Sequence, residues 1–269
     1  MDQHTTGTKA QREGSLPTAI SLERVPFDAP WDWLAAGWRD MWAIPGISLA
    51  YGAVFALLSI ALTFGLMEFG LQSLILALGG GFLLIGPLFA VGLYEASRRL
   101  EIGAPVSMGE IVSAGFRAPG QLGFFGAVLA FVFFVWVQLA FLLFMLFMGA
   151  TGLPPPSEFV PALLFTPRGL GLLVVGTIVG GILAATVFAM SAISVPLLMT
   201  RRIDAVTAIR TSFTAVIENP KPMLLWAALI AAFTLLGIAT LFVGLVVVFP
   251  LVGHATWHAF RSFTSKATS

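Results

Sequence analysis

Five uncharged apolar stretches dominate this chain and leave few folds open to it. Residues 46–67, 71–94, 121–148, 170–198 and 223–260 contain no Asp, Glu, Lys or Arg. About 20 apolar residues of helix cross the ~30 Å hydrocarbon core of a bilayer. The last stretch is too long for one crossing, since its 38 residues would extend ~57 Å as a helix. It divides near Gly237–Thr240, and six crossings are expected. Helix is favoured over barrel strand because the runs are continuously apolar and lack period-two alternation. Composition agrees: 58% of residues are hydrophobic and 10% charged, where a soluble domain carries about a quarter charged residues. The expected fold is an all-α membrane protein.

Charge placement then sets the orientation. With six crossings and both ends on one side, that side collects every lysine and arginine but Arg168, or 13 of the 14. Basic residues accumulate on the cytoplasmic face of inner-membrane proteins, so both termini are expected there. Five crossings would move Arg261 and Lys266 outside. The first 27 residues are polar, lack the apolar core of a signal peptide, and read as a disordered cytoplasmic tail. Residues 263–269 read as a second short tail. Cysteine is absent, which excludes disulfides, thiolate metal sites and a thiol nucleophile.

Within residues 28–262 the chain repeats itself. "PLFAVGLYEASR" from Pro87 and "PLVGHATWHAFR" from Pro250 share Pro-Leu at the start and arginine eleven residues on, and "PLLMTRR" from Pro196 is a shorter version. Ahead of each pair of crossings lies an amphipathic stretch ended by Pro45, Pro119 or Pro220. The pattern predicts three units, about 28–98, 105–202 and 204–261, each an amphipathic helix followed by two crossings. In the first, Trp31, Leu34, Trp38, Met41 and Trp42 form one stripe. In the second, Ser107 and Glu110 make a capping box. In the third, Val206, Ile209, Phe213, Val216 and Ile217 keep helical spacing. Two placements suit these helices equally: in the headgroup layer, or packed on the cytoplasmic ends of the crossings. The proline-rich residues 151–169 read as an outer connector.

Candidate sites are few. No GxxxxGK[ST], GxSxG, HExxH or CxxC motif occurs. Gly79–Phe82, Gly176 and Gly180 predict close helix approach. Ionisable residues near mid-membrane, the usual sign of an ion-coupled carrier, are missing apart from the uncharged amide of Gln138. What remains clusters at the inner boundary: Tyr94, Glu95, Arg98, Arg99, His254, Trp257, His258 and Arg261. Glu95 can meet Arg98 and Arg99 on its own helix, as a grip on an anionic headgroup or as a plain interface anchor. The repeat register pairs Glu95 with His258 and predicts a polar clasp between the second and sixth crossings. The rival is a metal held by His254, His258 and Glu95.

The pieces "WRDMWAIPGISLAYG", "GPLFAVGLYEASRRLEIGAPVSM" and "FPLVGHATWHAFR" resemble a bacterial family of predicted integral membrane proteins of unknown function, over about residues 28–262. The resemblance implies a helical inner-membrane protein and carries no activity, catalytic residue or cofactor. Three functions stay open. One is a structural, assembly, lipid-binding or partner-binding role, with membrane lipids, another membrane protein or a second copy as partner. Another is a passive or weakly coupled permease for an apolar or amphiphilic solute. The third is a metal- or haem-binding accessory protein. With no nucleophile–base pair or carboxylate dyad the expectation is a non-enzyme without cofactor, and nothing suggests nucleic acid as a partner.

Overall fold

The computed structural model describes residues 22–71, 74–116, 119–149 and 156–264. The expected disordered tail falls mostly outside them, as do Arg117 and Lys266. Every regular element among the described residues is a helix: α1 Ala29–Ala43, α2 Pro45–Glu68, α3 Ile75–Leu84, α4 Gly86–Phe89, α5 Val91–Glu101, α6 Met108–Ala114, α7 Pro119–Met148, α8 Pro156–Phe165, α9 Pro167–Ser191, α10 Ser194–Thr200, α11 Ala205–Glu218, α12 Pro220–Ala239 and α13 Leu245–Thr264.

The helix starts follow from the sequence. Pro45, Pro167 and Pro220 open α2, α9 and α12, where a missing N–H costs nothing. Ser107, Thr166 and Asp204 accept hydrogen bonds from Glu110, Gly169 and Thr207 backbone N–H groups, satisfying first-turn donors. The Glu110 carboxylate pairs with Arg99. The joints before α2 and α12 are nearly identical. Ile44 lies at φ −134°, ψ 55° and Asn219 at φ −126°, ψ 54°, each directly before proline.

Among the described residues, four helices are long and apolar enough to cross a membrane: α2, α7, α9 continued through α10, and α12. Two expected crossings depart from that description. The stretch 71–94 is not one helix, because it slackens at Ile85 and Ala90 around Pro87, whose ring nitrogen cannot donate to the preceding turn. In α13, the second half carries His254, Trp257, His258 and Arg261, and these polar groups lower its hydropathy. The chain turns between α12 and α13 through Leu241 and Phe242, both at positive φ. There Thr240 Oγ1 accepts from Gly244 N at 2.8 Å. The residues expected as an outer connector contain α8, which packs on α9; residues 150–155 lie outside the described ones.

Two of the three amphipathic helices, α1 and α11, place their stripes differently from expectation. On α1 the expected stripe divides: Leu34 and Met41 are buried with Trp33 and Gly37, while Trp31, Trp38 and Trp42 stay exposed on the flank. On α11 the buried face is Ala205, Ala208, Ser212 and Ala215, and Val206 and Ile217 are exposed. On α11 small residues face the protein, Ile209 and Val216 pack at the edge of the core, and Val206 and Ile217 face outward. Close approach recurs at α13. A Cβ on Gly37 would stand 2.6 Å from Ala255 N, and one on Gly52 would collide with the Val246 carbonyl. That carbonyl is the one Pro250 leaves without its helical partner. Gly180 instead receives the Trp136 ring, and Gly176 meets nothing within 4 Å, so this pair does not bring helix backbones together. The continuous core gathers where α1, α5, α10, α11 and α13 meet, around Trp33, Trp226 and Phe263.

Candidate functional site

At the α1–α11 end of the bundle, four helices meet over a chain of polar side chains. His254 on α13 is fully buried. Its Nε2 lies 3.0 Å from Ser48 Oγ on α2, and its Nδ1 lies 2.7 Å from Ser97 Oγ on α5. Ser97 also bonds Asp40 on α1. One proton ordering satisfies all of them: Ser48 O–H donates to Nε2, Nδ1–H donates to Ser97 Oγ, and Ser97 O–H donates to Asp40. A neutral imidazole offers one donor and one acceptor, so the ordering uses its full capacity. One turn on, His258 Nε2 lies 2.8 Å from Asp40 Oδ2. Burial alone would raise the Asp40 carboxyl. The hydrogen bonds from His258 and Ser97 outweigh it and hold the group below its ordinary value of 3.8.

Around this chain runs a charged rim. Glu95 is buried and receives Arg98 and Arg99, each at 2.8 Å. Beside Glu95 the Arg98 guanidinium is pushed further toward its charged form. Arg99 also reaches the Pro105 carbonyl and Glu110. Glu101 accepts from Trp257 Nε1 at 3.0 Å and from Arg261 Nε at 2.8 Å. Tyr94, fully within the core, bonds Thr256. The expected Glu95–His258 clasp is therefore rearranged. Helices α5 and α13 are joined through Ser97–His254 and Glu101–Trp257–Arg261, while His258 takes its carboxylate from α1. One helical turn of offset in the register accounts for this. Glu101, not Glu95, stands level with the charged end of α13. A metal reading finds no group of three or more His, Asp or Glu placed to hold an ion among the described residues. Both nitrogens of His254 are already engaged.

Asp40, Ser48, Ser97 and Glu101 were not singled out by the sequence. The one available signal was the polar face of α1, where Asp40 stands opposite the tryptophans. Ser48 and Ser97 carry no pattern of their own.

The other feature is a cavity of about 870 Å³ between the helices. Among the described residues, no charged side chain lines it. Tyr94, Ser191, Trp226 and Thr256 stand at the end nearest the polar chain, and Phe159 and Leu163 of α8 at the opposite end. Ser191 and Thr256 spend their hydroxyls on carbonyls of their own helices, Val187 and Val252.

Apolar crossing helices, an exposed tryptophan flank and a polar layer confined to one end define a helical integral membrane protein. Residues 74–200, somewhat under half of the chain, match the family described as "Predicted integral membrane protein (DUF2189)". The match runs from α3 through α10, a shorter reach than the resemblance over 28–262 suggests. No curated protein and no solved structure matches the chain.

Proposed function

We propose that the protein is a lipid-binding structural or assembly component of the bacterial inner membrane, built from six crossings in three units, with both termini cytoplasmic. The broken α3–α5 and the polar-ended α13 then serve as the second and sixth crossings, and α1 and α11 as helices at the headgroup layer. The matching backbone at Ile44–Pro45 and Asn219–Pro220 supports the repeat. The exposed Trp31, Trp38 and Trp42 suit the interface, where indole rings keep an apolar body down and a ring nitrogen in water.

The observation that carries the functional reading is the segregation of polarity. The ionisable groups near the membrane edge bind one another, and the cavity at membrane depth is lined without charge. Ion-coupled transport needs a carboxylate or cation exposed along the path, and catalysis needs a reactive pair open to substrate. Neither has a place in this arrangement, so the proposal is a non-enzyme that binds lipid, alone or beside a membrane partner. Purification in mild detergent tests it. Phospholipid should remain bound, metal should be absent in stoichiometric amount, and vesicles containing the protein should show no ion-gradient-driven uptake. Delipidated protein of unchanged stability, or stoichiometric iron or zinc lost with His254→Ala, would overturn the reading.

A further inference from the structure

The cavity has a shape that narrows its occupant. Its α9 wall runs from Leu172 to Ser191, about 29 Å along the helix at 1.5 Å per residue. That exceeds the depth of one leaflet, about half of the ~30 Å hydrocarbon core. At one end the packed side chains of Tyr94, Trp226 and their neighbours close it. At the other, α8 lies across with Phe159 and Leu163 turned in, and Phe159 stacks on Phe144. The remaining way in is lateral. Helix α9 packs on α7 and α11, and α12 on α13, but α9 and α12 hardly meet. Small residues line both sides of that gap: Gly176, Gly180 and Ala184 on α9, Ala227 and Ala231 on α12. A cleft between two crossing helices opens onto lipid tails, not water.

We propose that this cavity holds an acyl chain of a bilayer phospholipid, admitted sideways between α9 and α12, with the headgroup left at the α8 end. The proposal rests on the lipid-binding reading above and gives it a place. The volume lies within the ~300–1,000 Å³ of sites that enclose small molecules. A wall without charge neither desolvates an ion nor leaves a buried one unpaired when a hydrocarbon chain enters. Lateral entry is what an anchored chain requires, since its glycerol end never leaves the membrane surface. Ser191 and Thr256 keep their hydroxyls on their own helices and make no demand on the ligand.

The test uses the full chain, reconstituted into vesicles of palmitoyl-oleoyl phosphatidylcholine, re-extracted in mild detergent and assayed for phosphorus per protein. Wild type should hold on the order of one phospholipid per chain. Gly176→Trp and Ala231→Trp, which place an indole in the cavity, should hold several-fold less. Val174→Trp, exposed on α9 and away from the cavity, should match wild type. Should the filled variants not fold, the absence of native cysteine offers a second route. Ala231→Cys should react with a lipid-soluble maleimide, and added phosphatidylcholine should slow the reaction. Lipid retained equally by filled and control variants, or labelling indifferent to phosphatidylcholine, overturns the cavity site while the lipid-binding reading stands. A retained amphiphile without phosphorus overturns the phospholipid assignment in favour of a free fatty acid. No retained lipid in wild type overturns both.

Discussion

The two ends of this bundle are built on opposite terms. Where α1, α2, α5 and α13 meet, glycines bring backbones into contact and a hydrogen-bonded chain from Ser48 to His258 threads the junction. Toward α8, helices stand apart around an uncharged cavity, and hardly any residue of α7 at membrane depth is buried. Hydrocarbon surroundings explain the contrast. Lipid tails are as apolar as leucine, so burying leucine gains little inside a membrane. Association must come from close packing and hydrogen bonds. The first end draws its helices together on both counts; at the second, neighbouring pairs such as α3 and α7, joined by Trp136 Nε1 on the Ala77 carbonyl, still pack, but a space between the pairs is left open to lipid.

The strongest break of this contrast is one substitution made at two glycines. Gly52→Val should cost about 3 kcal/mol or prevent folding in detergent, since overpacking a tight contact typically costs 1–3 kcal/mol and here the obstacle is backbone. Gly176→Val should cost under about 0.5 kcal/mol beyond the lower propensity of a branched residue. Thermal unfolding of both proteins measures this, and equal losses would mean that the two ends are packed alike.

A smaller effect is expected from the polar chain. His254→Ala strands the Ser48 hydroxyl and takes from Ser97 Oγ the donor it accepts, and should destabilise by about 2–3 kcal/mol, the cost of buried groups left unsatisfied. Because Glu95 and His258 answer to different partners, Glu95→Gln and His258→Ala should add within about 0.5 kcal/mol. A double-mutant cycle with large coupling would restore a direct Glu95–His258 clasp.

The smallest effect is one of pH. Asp40 is held below its ordinary carboxyl value of 3.8. It therefore contributes stability that is complete above that value and lost as the pH falls through the lower, folded value. Asp40→Asn should remove that acid-side loss from a plot of stability against pH. An unchanged acid limb would show that Asp40 is not held by its neighbours.

Much of the fold could be read in advance because its cause is local. Apolar run length located α2, α7, α9 and α12, proline fixed their first residues, and the turn after Ala239 falls where one helix would outrun the bilayer. The break at Pro87 was harder, since proline inside a helix sometimes ends it and sometimes does not. Pro250 lies within α13 and leaves it whole. Of the site, the cluster of residues at one boundary was visible and the pairing was not. His258 reaches Asp40 across 218 positions, and no periodicity within either helix encodes that meeting. The cavity was invisible for a related reason. It is defined by helices that fail to touch, and Gly176 looks the same in sequence whether a neighbour is present or missing.

The segment before α1 is stitched at two points. Glu23 N donates to the Phe263 carbonyl at 3.1 Å, and Val25 N donates to Asn219 Oδ1 at 3.0 Å. Residues 23 and 263 are thus neighbours, though nearly the whole chain lies between them, and the path through the bundle is almost a closed loop. Such a loop has no privileged opening. A permuted chain, joined through a short linker between these two strands of backbone and cut in the Thr240–Gly244 turn, would present the same helices in the same places with its two new ends at that turn.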